Sequence, residues 1–231
     1  MKIIALITAR GGSKRLPGKN VRLLGGKLQI VWSIDVVKDI QEICDIIVST
    51  DDPAIAAACA EAGANVPWLC PAELSTDKAS SVDVALNALD WYEAAKGPLD
   101  GLLLLQPTSP FRAQSTVLKG IELFARNGQE PVLGVSATHA YPMWSLNMEC
   151  GFLAPFMKEH GLGMRSQDLP PAYFVNGSFY LIAPRDLRQF EAFYIESTVP
   201  LVIDALEECI DIDTKWVWKM AEAVLKLKES Y

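Results

Sequence analysis

A glycine- and cation-rich segment at residues 9–20 has the composition of a polyphosphate site. It reads ARGGSKRLPGKN and, with Arg22 just beyond it, holds five of the chain's 21 lysines and arginines. Glycines let the backbone turn its N–H groups toward an anion, lysines add movable charges and arginines add a fixed fork of donors. The sequences of a P-loop and of a dinucleotide fingerprint are both absent. A solvated basic loop is the alternative.

A second candidate, IDIDT at 210–214, carries two carboxylates two residues apart. In an extended segment, Asp211 and Asp213 would share one face at a separation of roughly 7 Å. Two hard oxygen ligands beside phosphates suit Mg²⁺. Alternatively, Asp213 only caps the helix predicted from Thr214, and Asp211 is solvated. The cationic segment favours the metal interpretation, because a polyphosphate site needs a divalent ion.

Two further polar segments follow predicted strands. QPTSPFR at 106–112 is stiffened by two prolines, and Gln106 and Arg112 have donors for a polar ligand, although a plain structural turn fits equally well. After another strand, Asp51 is a candidate ligand contact and Asp52 is a helix cap.

The elements that position these segments alternate between short apolar strands and helices of about 12 residues, a pattern typical of βαβ units. Strands are predicted at 2–9, 44–49, 65–69, 101–105, 131–137, 178–182 and 199–203, and helices at 29–40, 53–62, 81–95, 115–127, 184–190 and 214–228. We therefore expect an α/β fold with a mainly parallel central sheet flanked by helices. The glycine-rich segment, the Asp51-Asp52 pair and QPTSPFR each follow a predicted strand directly. They therefore lie at the carboxyl ends of strands, where open sheets bind ligands.

The length of 231 residues is compatible with a single domain that spans 1–231. Residues 138–176 break the pattern, since Pro, Gly and aromatic residues are scattered there without a period. So long a stretch without order is unusual inside a domain. We expect it to form a lid, an excursion between subunits, or both.

Composition excludes several classes of function. With a net charge of −7, the chain is not expected to coat nucleic acid or an anionic membrane, and no stretch approaches the roughly 20 apolar residues of a membrane span. Five scattered cysteines without C-x-x-C predict reduced thiols in a cytoplasmic enzyme. His139 and His160 are too far from any carboxylate cluster to indicate a metal site or a hydrolytic triad, and are predicted to be structural or solvent-facing.

The chain as a whole resembles the acylneuraminate cytidylyltransferases, the CMP-sialic acid synthetase family. The matching stretches, in family order, are ARGGSKRLPGKN (9–20), VSTDD (48–52), PAELSTDKASS (71–81), LLQPTSPFR (104–112), VNGSFY (175–180) and IDIDT (210–214). The resemblance implies a nucleotide-diphospho-sugar transferase-like fold, a homodimer in which residues 138–176 reach the partner, and Mg²⁺-dependent synthesis of a CMP-sugar from CTP and an acidic, sialic acid-like nonulosonic sugar.

The resemblance also implies roles by position. The nucleotide would be bound by Ala9, Arg10, Gly11, Gly12, Ser13, Lys14, Lys19 and Asn20, with Ser80 and Ser81 close to the base. Arg10, Lys14, Lys19 and Asp211 would be catalytic, and Asp211 and Asp213 would hold Mg²⁺. Gln106, Arg165 and Asn176 would bind the sugar, with Arg165 at its carboxylate.

Two departures from the family pattern concern specificity. Cys70 stands where arginine is common before PAEL, which bears on base preference. Trp144 stands where a lysine is common, which favours a sugar other than N-acetylneuraminate, such as a related bacterial nonulosonate. One alternative is a 3-deoxy-manno-octulosonate cytidylyltransferase, against which QPTSP and IDIDT argue. Another is a non-catalytic nucleotide-binding homologue, supported only by these two departures.

The reaction expected of such a site is an in-line attack. The anomeric hydroxyl of the sugar would attack the α-phosphorus of CTP, and pyrophosphate would leave. Lys14, Lys19 and the backbone N–H groups of residues 11–13 would stabilise the leaving group. Mg²⁺ would lower the pKa of the hydroxyl.

Overall fold

A computed structural model describes residues 1–75, 79–138 and 140–229. The strands are β1 Ile3–Thr8, β2 Leu23–Leu24, β3 Lys27–Leu28, β4 Ile43–Ser49, β5 Gly101–Leu105, β6 Val132–Ala137, β7 Leu146–Glu149, β8 Phe152–Pro155, β9 Tyr173–Ile182 and β10 Val199–Val202. The helices are α1 Gln29–Asp35, α2 Pro53–Glu61, α3 Ser81–Lys96, α4 Gln114–Arg126, α5 Pro184–Phe190 and α6 Lys215–Glu229.

The central sheet has six strands in the order β10-β6-β9-β5-β1-β4. Neighbouring strands are parallel except for β9, which runs antiparallel to both β5 and β6. The chain leaves β1 for β4 on one side and then returns to β5 on the other, so the strand order reverses at β1. Open α/β sheets bind ligands outside the carboxyl ends of the strands at such a switch point. The predicted fold class is confirmed.

The core lies on both faces of this sheet. Ile3 and Ile7 pack with α1, α2 and α4, while Ile4 and Leu6 pack with α3 and α5. A strand that is buried on both faces has no need of polar alternation, so its sequence is a continuous apolar run. This packing holds the carboxyl end of β1 in place beneath the candidate site.

One predicted helix is shorter than expected, and one predicted strand does not form. The first helix ends at Asp35 rather than near residue 40, and tight turns continue the chain. The strand predicted at 65–69 is wrong, because only the isolated bridges Ile47–Asn65 and Thr50–Leu69 form there. Pro67 lies between the two bridges and has no N–H for a ladder.

The region from 138 to 176 contains more regular structure than predicted. β7 and β8 form a hairpin whose turn has positive φ angles at Cys150 (+51°) and Gly151 (+84°), as in type I′ turns. β9 begins at Tyr173, five residues earlier than expected. Its first residues pair with β6, and a register shift then separates them from the pairing of Tyr180 with Leu133. Asn176-Gly177 resembles a turn signal but forms a bulge inside the strand.

All five cysteines are free, as predicted. Burial raises the pKa of the Cys59 thiol to about 12. His160 is exposed, as predicted, and His139 lies outside the described residues. In the described part of the chain, no helix combines the length and apolar character that crossing a membrane requires.

Candidate functional site

A cavity of about 490 Å³ lies at the carboxyl ends of β1 and β5. The strand ends contribute Thr8, Gln106, Pro107 and Thr108, the glycine-rich loop contributes Arg10, Ser13, Lys14, Arg15, Lys19 and Asn20, and the IDIDT segment contributes Asp211 and Asp213. The structure therefore brings together two segments that are nearly 200 residues apart in sequence. The side-chain amide oxygen of Asn20 is buried there without a hydrogen-bond partner among the described residues.

The start of the glycine-rich loop is tied to β4. The N–H of Gly11 donates to Asp51 Oδ1 (2.8 Å), and that of Ser13 donates to the carbonyl of Gly11 (2.9 Å). A side chain at Gly11 would place its Cβ 2.7 Å from Asp52 Oδ2, so only glycine fits. The N–H groups of Gly11 and Ser13 are thus bound within the protein, and the role of the N–H groups of residues 11–13 in stabilising the leaving group stays a prediction. Asp52 caps α2, as predicted.

Asp213 links the loop to the IDIDT segment through two ion pairs. Its carboxylate lies 2.8 Å from Lys19 Nζ and 2.9 Å from Arg15 Nη1. The Lys19 side chain is only 13% exposed, whereas that of Arg15 is 72% exposed. Because ion pairs in water contribute little, the Lys19 pair is the stronger link. Lys19 also donates to the carbonyl of Ile212 (3.3 Å).

The two aspartates reach the cavity by a different geometry from that predicted. The N–H of Asp213 donates to the carbonyl of Asp211 (3.1 Å), so this segment is a tight turn rather than an extended strand. The alternative role of Asp213 as a helix cap is also wrong. Thr214 has that role, since its hydroxyl accepts from the N–H of Val217 (3.2 Å) at the start of α6.

The carboxylates fit Mg²⁺ only as part of a larger set of ligands. No group of three or more His, Cys, Asp or Glu able to hold a metal ion occurs among the described residues. Mg²⁺ generally binds one or two carboxylates and completes its shell with water and substrate phosphates. Asp211 and Asp213, facing a cationic cavity, suit that arrangement.

A second cavity, of about 250 Å³, adjoins the first at the carboxyl ends of β1 and β4. The two cavities share Thr8 and Arg10. The second is lined by Ala9, Ser49, Thr50, Asp51, Cys70, Leu74, Ser75, Ala79, Ser80, Ser81 and Val84. Of the matching segment 71–81, residues 76–78 lie outside the described residues. The two joined cavities have room for an elongated ligand with an anionic part and a less polar part.

Ser80 has a structural role as well as its place in the second cavity. Its hydroxyl accepts from the N–H groups of Val82 (3.0 Å) and Asp83 (3.3 Å), and the Asp83 carboxylate accepts from the N–H of Ser80 (3.3 Å). This capping box fixes the first turn of α3. Ser80 is therefore the N-cap of α3.

Two of the three predicted sugar residues do not line either cavity. Arg165 is exposed and pairs with Asp168 (2.8 Å). Asn176 is buried, where its amide donates to Ser136 Oγ (3.0 Å) and its carbonyl oxygen accepts from Ser178. Gln106 does line the first cavity.

Of the two alternatives for the 106–112 segment, ligand binding and a structural turn, the contacts of Arg112 fit the structural one. Its buried guanidinium donates to the carbonyls of Gln106 and Ser178 and to Ser33 Oγ (3.0 Å). Burial lowers its pKa to about 9, an effect opposed chiefly by the carboxylate of Glu208.

Sequence reasoning missed Thr8 and Thr108 as cavity residues. The only available signal was their place at the ends of buried strands. It counted Arg15 among the loop's cations but did not assign it to the site, because its pairing with Asp213 depends on the folded chain.

Open α/β sheets bind nucleotides at the switch point, and glycine-rich backbone with cationic side chains there suits phosphates, so the fold and the site define a nucleotide-binding protein. Residues 4–140 match the sequence model of the family described as cytidylyltransferase. The chain is 36% identical to the CMP-N,N'-diacetyllegionaminic acid synthase of Legionella pneumophila, over 99% of this chain and 98% of that protein. It therefore belongs to the cytidylyltransferases, in the CMP-sialic acid synthetase family.

Other similar proteins differ in their sequence identity to this chain and in their length. The pseudaminic acid cytidylyltransferase of Campylobacter jejuni is 33% identical over 98% of this chain and 97% of its own length. An N-acylneuraminate cytidylyltransferase of Streptococcus agalactiae is 32% identical over 93% of this chain, which spans about half (51%) of that protein. The solved structure of CMP:2-keto-3-deoxy-manno-octonic acid synthetase complexed with CTP has a TM-score of 0.72 at 16% identity and covers 99% of this chain and 100% of that one. At that identity, the likeness shows the fold alone.

Proposed function

We propose that this protein transfers CMP from CTP to the anomeric hydroxyl of an acidic nonulosonic sugar and releases pyrophosphate. The observation that carries the proposal is the cavity that unites the cationic loop with Asp211 and Asp213. Relatives that align over nearly the whole chain have names that state the same class of reaction. In a protein with a net charge of −7, the concentration of cations at this one edge of the sheet is suited to a polyanion.

The triphosphate occupies the first cavity in this proposal. Lys14 and Lys19 neutralise charge that builds on the departing pyrophosphate, and Arg10 lies where the two cavities meet. The nucleoside extends into the second cavity, past Cys70 toward Ser80 and Ser81. The protein forms no covalent bond to substrate, because positioning and charge neutralisation are sufficient for phosphoryl-group chemistry.

Asp211 and Asp213 would hold Mg²⁺ together with phosphate oxygens. The ion would supply Lewis-acid stabilisation of phosphate charge and a lower pKa for the attacking hydroxyl. Asp213 also neutralises Lys19. A triphosphate bound to Lys19 would share the charge of that lysine with Asp213. The Asp213 carboxylate would then be less fully neutralised and available to a divalent ion.

The acceptor is proposed to meet Gln106 in the first cavity, with its carboxylate bound by Arg165 from a second subunit. Arg165 lies in the excursion and away from the cavities of its own chain. The excursion carries exposed apolar side chains, with Met148 79% and Phe152 77% exposed. Patches of this kind mark protein interfaces. We therefore propose a homodimer in which each excursion completes the partner's site.

The dimer is tested by size-exclusion chromatography with light scattering. The wild-type protein should elute as a dimer. Phe152→Asp should give a monomer that still binds CTP but loses transfer to the sugar. A wild-type monomer with full activity contradicts the proposal.

The cytoplasmic location remains a prediction from the reduced cysteines.

The experiment that tests the function is pyrophosphate release with CTP and Mg²⁺ across a panel of acceptors. The panel contains legionaminic, pseudaminic and N-acetylneuraminic acids and 3-deoxy-manno-octulosonate, with ATP, GTP and UTP as competing nucleotides. We expect turnover with CTP and a nine-carbon acid. Turnover with only the eight-carbon acid would refute this acceptor class. CTP that raises the melting temperature without any pyrophosphate release would indicate a non-catalytic homologue.

A further inference from the structure

The bulge in β9 lies directly beside Gln106. Gly177 has a φ of +79°, a left-handed value that costs any residue with a side chain. A Cβ built on Gly177 would lie 3.1 Å from Gln106 Oε1. The absence of a side chain at Gly177 therefore provides the space that the Gln106 amide occupies.

Arg112 joins the same two segments from within the protein. Its Nε donates to the carbonyl of Ser178, next to Gly177, and its Nη2 donates to the carbonyl of Gln106. One rigid guanidinium thus spans the bulge and the loop. Lysine has no such fork and could not make both bonds with the same geometry.

The backbone of the loop is fixed by other contacts. Gln29 Nε2 donates to the carbonyl of Pro107 (3.0 Å), and the N–H of Ile212 donates to the carbonyl of Thr108 (2.7 Å). With the main chain held, the direction of the Gln106 side chain depends on what packs against it, and Gly177 lies directly beside its amide oxygen.

We propose that Gly177 and Arg112 are positioning residues for acceptor recognition. Arg112 fixes the spacing between the loop and the bulge, and Gly177 leaves the Gln106 amide free to point at the acceptor. Neither residue contacts the sugar. This inference rests on the proposed function, in which Gln106 binds the acceptor.

A double-mutant cycle tests the coupling, using Gln106→Ala, Gly177→Ala and the two combined. Gly177→Ala should raise the KM for the acceptor about three- to tenfold, because the Gln106 amide must move by a few tenths of an ångström and a misplacement of about 1 Å can cost about 10²-fold. The KM for CTP should stay within about twofold. In the Gln106→Ala background, Gly177→Ala should have no further effect. Additive effects on the acceptor KM would overturn the proposal.

Gly26→Ala is the matched control. Gly26 has a φ of +77°, and no described atom lies within 4 Å of its built Cβ, so the substitution strains the backbone without a contact. It should lower the melting temperature about as much as Gly177→Ala and leave the acceptor KM unchanged. An equal rise in acceptor KM from both variants would mean that lost stability explains the effect, which overturns the proposal.

Crystal structures of the wild type and of Gly177→Ala provide a readout that does not depend on catalysis. The Gln106 amide should be displaced in the variant, and an unmoved amide overturns the inference. Failure of the wild type to turn over any acceptor would refute only the proposed function. If Gly177→Ala does not fold, Arg112→Lys replaces it in the cycle and in the crystal comparison, with the same two outcomes.

Discussion

Replacing Lys19 by methionine separates the catalytic and structural roles of the cationic loop. Lys19 Nζ lies 2.8 Å from Asp213, and its side chain is 13% exposed. Losing one preorganised contact to developing charge costs about 3–4 kcal/mol, so kcat/KM for CTP should fall by about 10²–10³. The loss of one hydrogen-bonded charge should lower the free energy of unfolding by about 1–2 kcal/mol. Asp213 keeps its second partner, Arg15, which limits that cost.

The assay is continuous pyrophosphate release at saturating acceptor, with the melting temperature measured on the same samples. Lys38→Met is the control, because Lys38 also forms an ion pair, with Asp35 at 3.0 Å, but lies outside the cavities. It should leave kcat/KM unchanged and alter stability by about 0.5 kcal/mol or less. A Lys19→Met enzyme that keeps more than about a third of wild-type kcat/KM would refute the electrostatic role.

Three further predictions concern the metal, a helix cap and a buried thiol. Asp211→Asn should lower kcat by about 10² or more and raise the Mg²⁺ concentration needed for half-maximal activity, and an unchanged Mg²⁺ dependence would argue against the metal proposal. Ser80→Ala removes the acceptor for the N–H of Val82, so the melting temperature should fall by about 2–4 °C, for a loss of about 1 kcal/mol; no change would mean that the cap contributes nothing. Because the pKa of Cys59 is raised to about 12, iodoacetamide at about pH 8 should label exposed Cys150 and spare Cys59. Equal labelling rates would contradict the burial of that thiol.

The central strands were predictable from the sequence because they are buried on both faces of the sheet. β5 has the predicted bounds, Gly101–Leu105, since a strand covered on both faces is an uninterrupted apolar run. β9 was predicted to begin at residue 178, because residues 138–176 have no regular pattern and a clear apolar run begins only there. Pairing with β6 keeps the chain in the sheet on both sides of the bulge, and that pairing cannot be read from a local segment.

The site was predictable in its parts and not in its connections. The loop at 9–20 was identified by its composition alone. The Lys19–Asp213 ion pair joins residues 194 positions apart, so no local sequence pattern predicts it. Asn176 was assigned to the sugar by resemblance, whereas its amide is bound to Ser136 of a neighbouring strand.

The most direct test is a crystal structure with CTP and Mn²⁺ in place of Mg²⁺, in which anomalous scattering locates the ion. We expect the triphosphate in the first cavity, within hydrogen-bond distance of Lys14 and Lys19, and an anomalous peak at the Asp211 carboxylate. A triphosphate bound elsewhere, or a peak remote from Asp211, would contradict it.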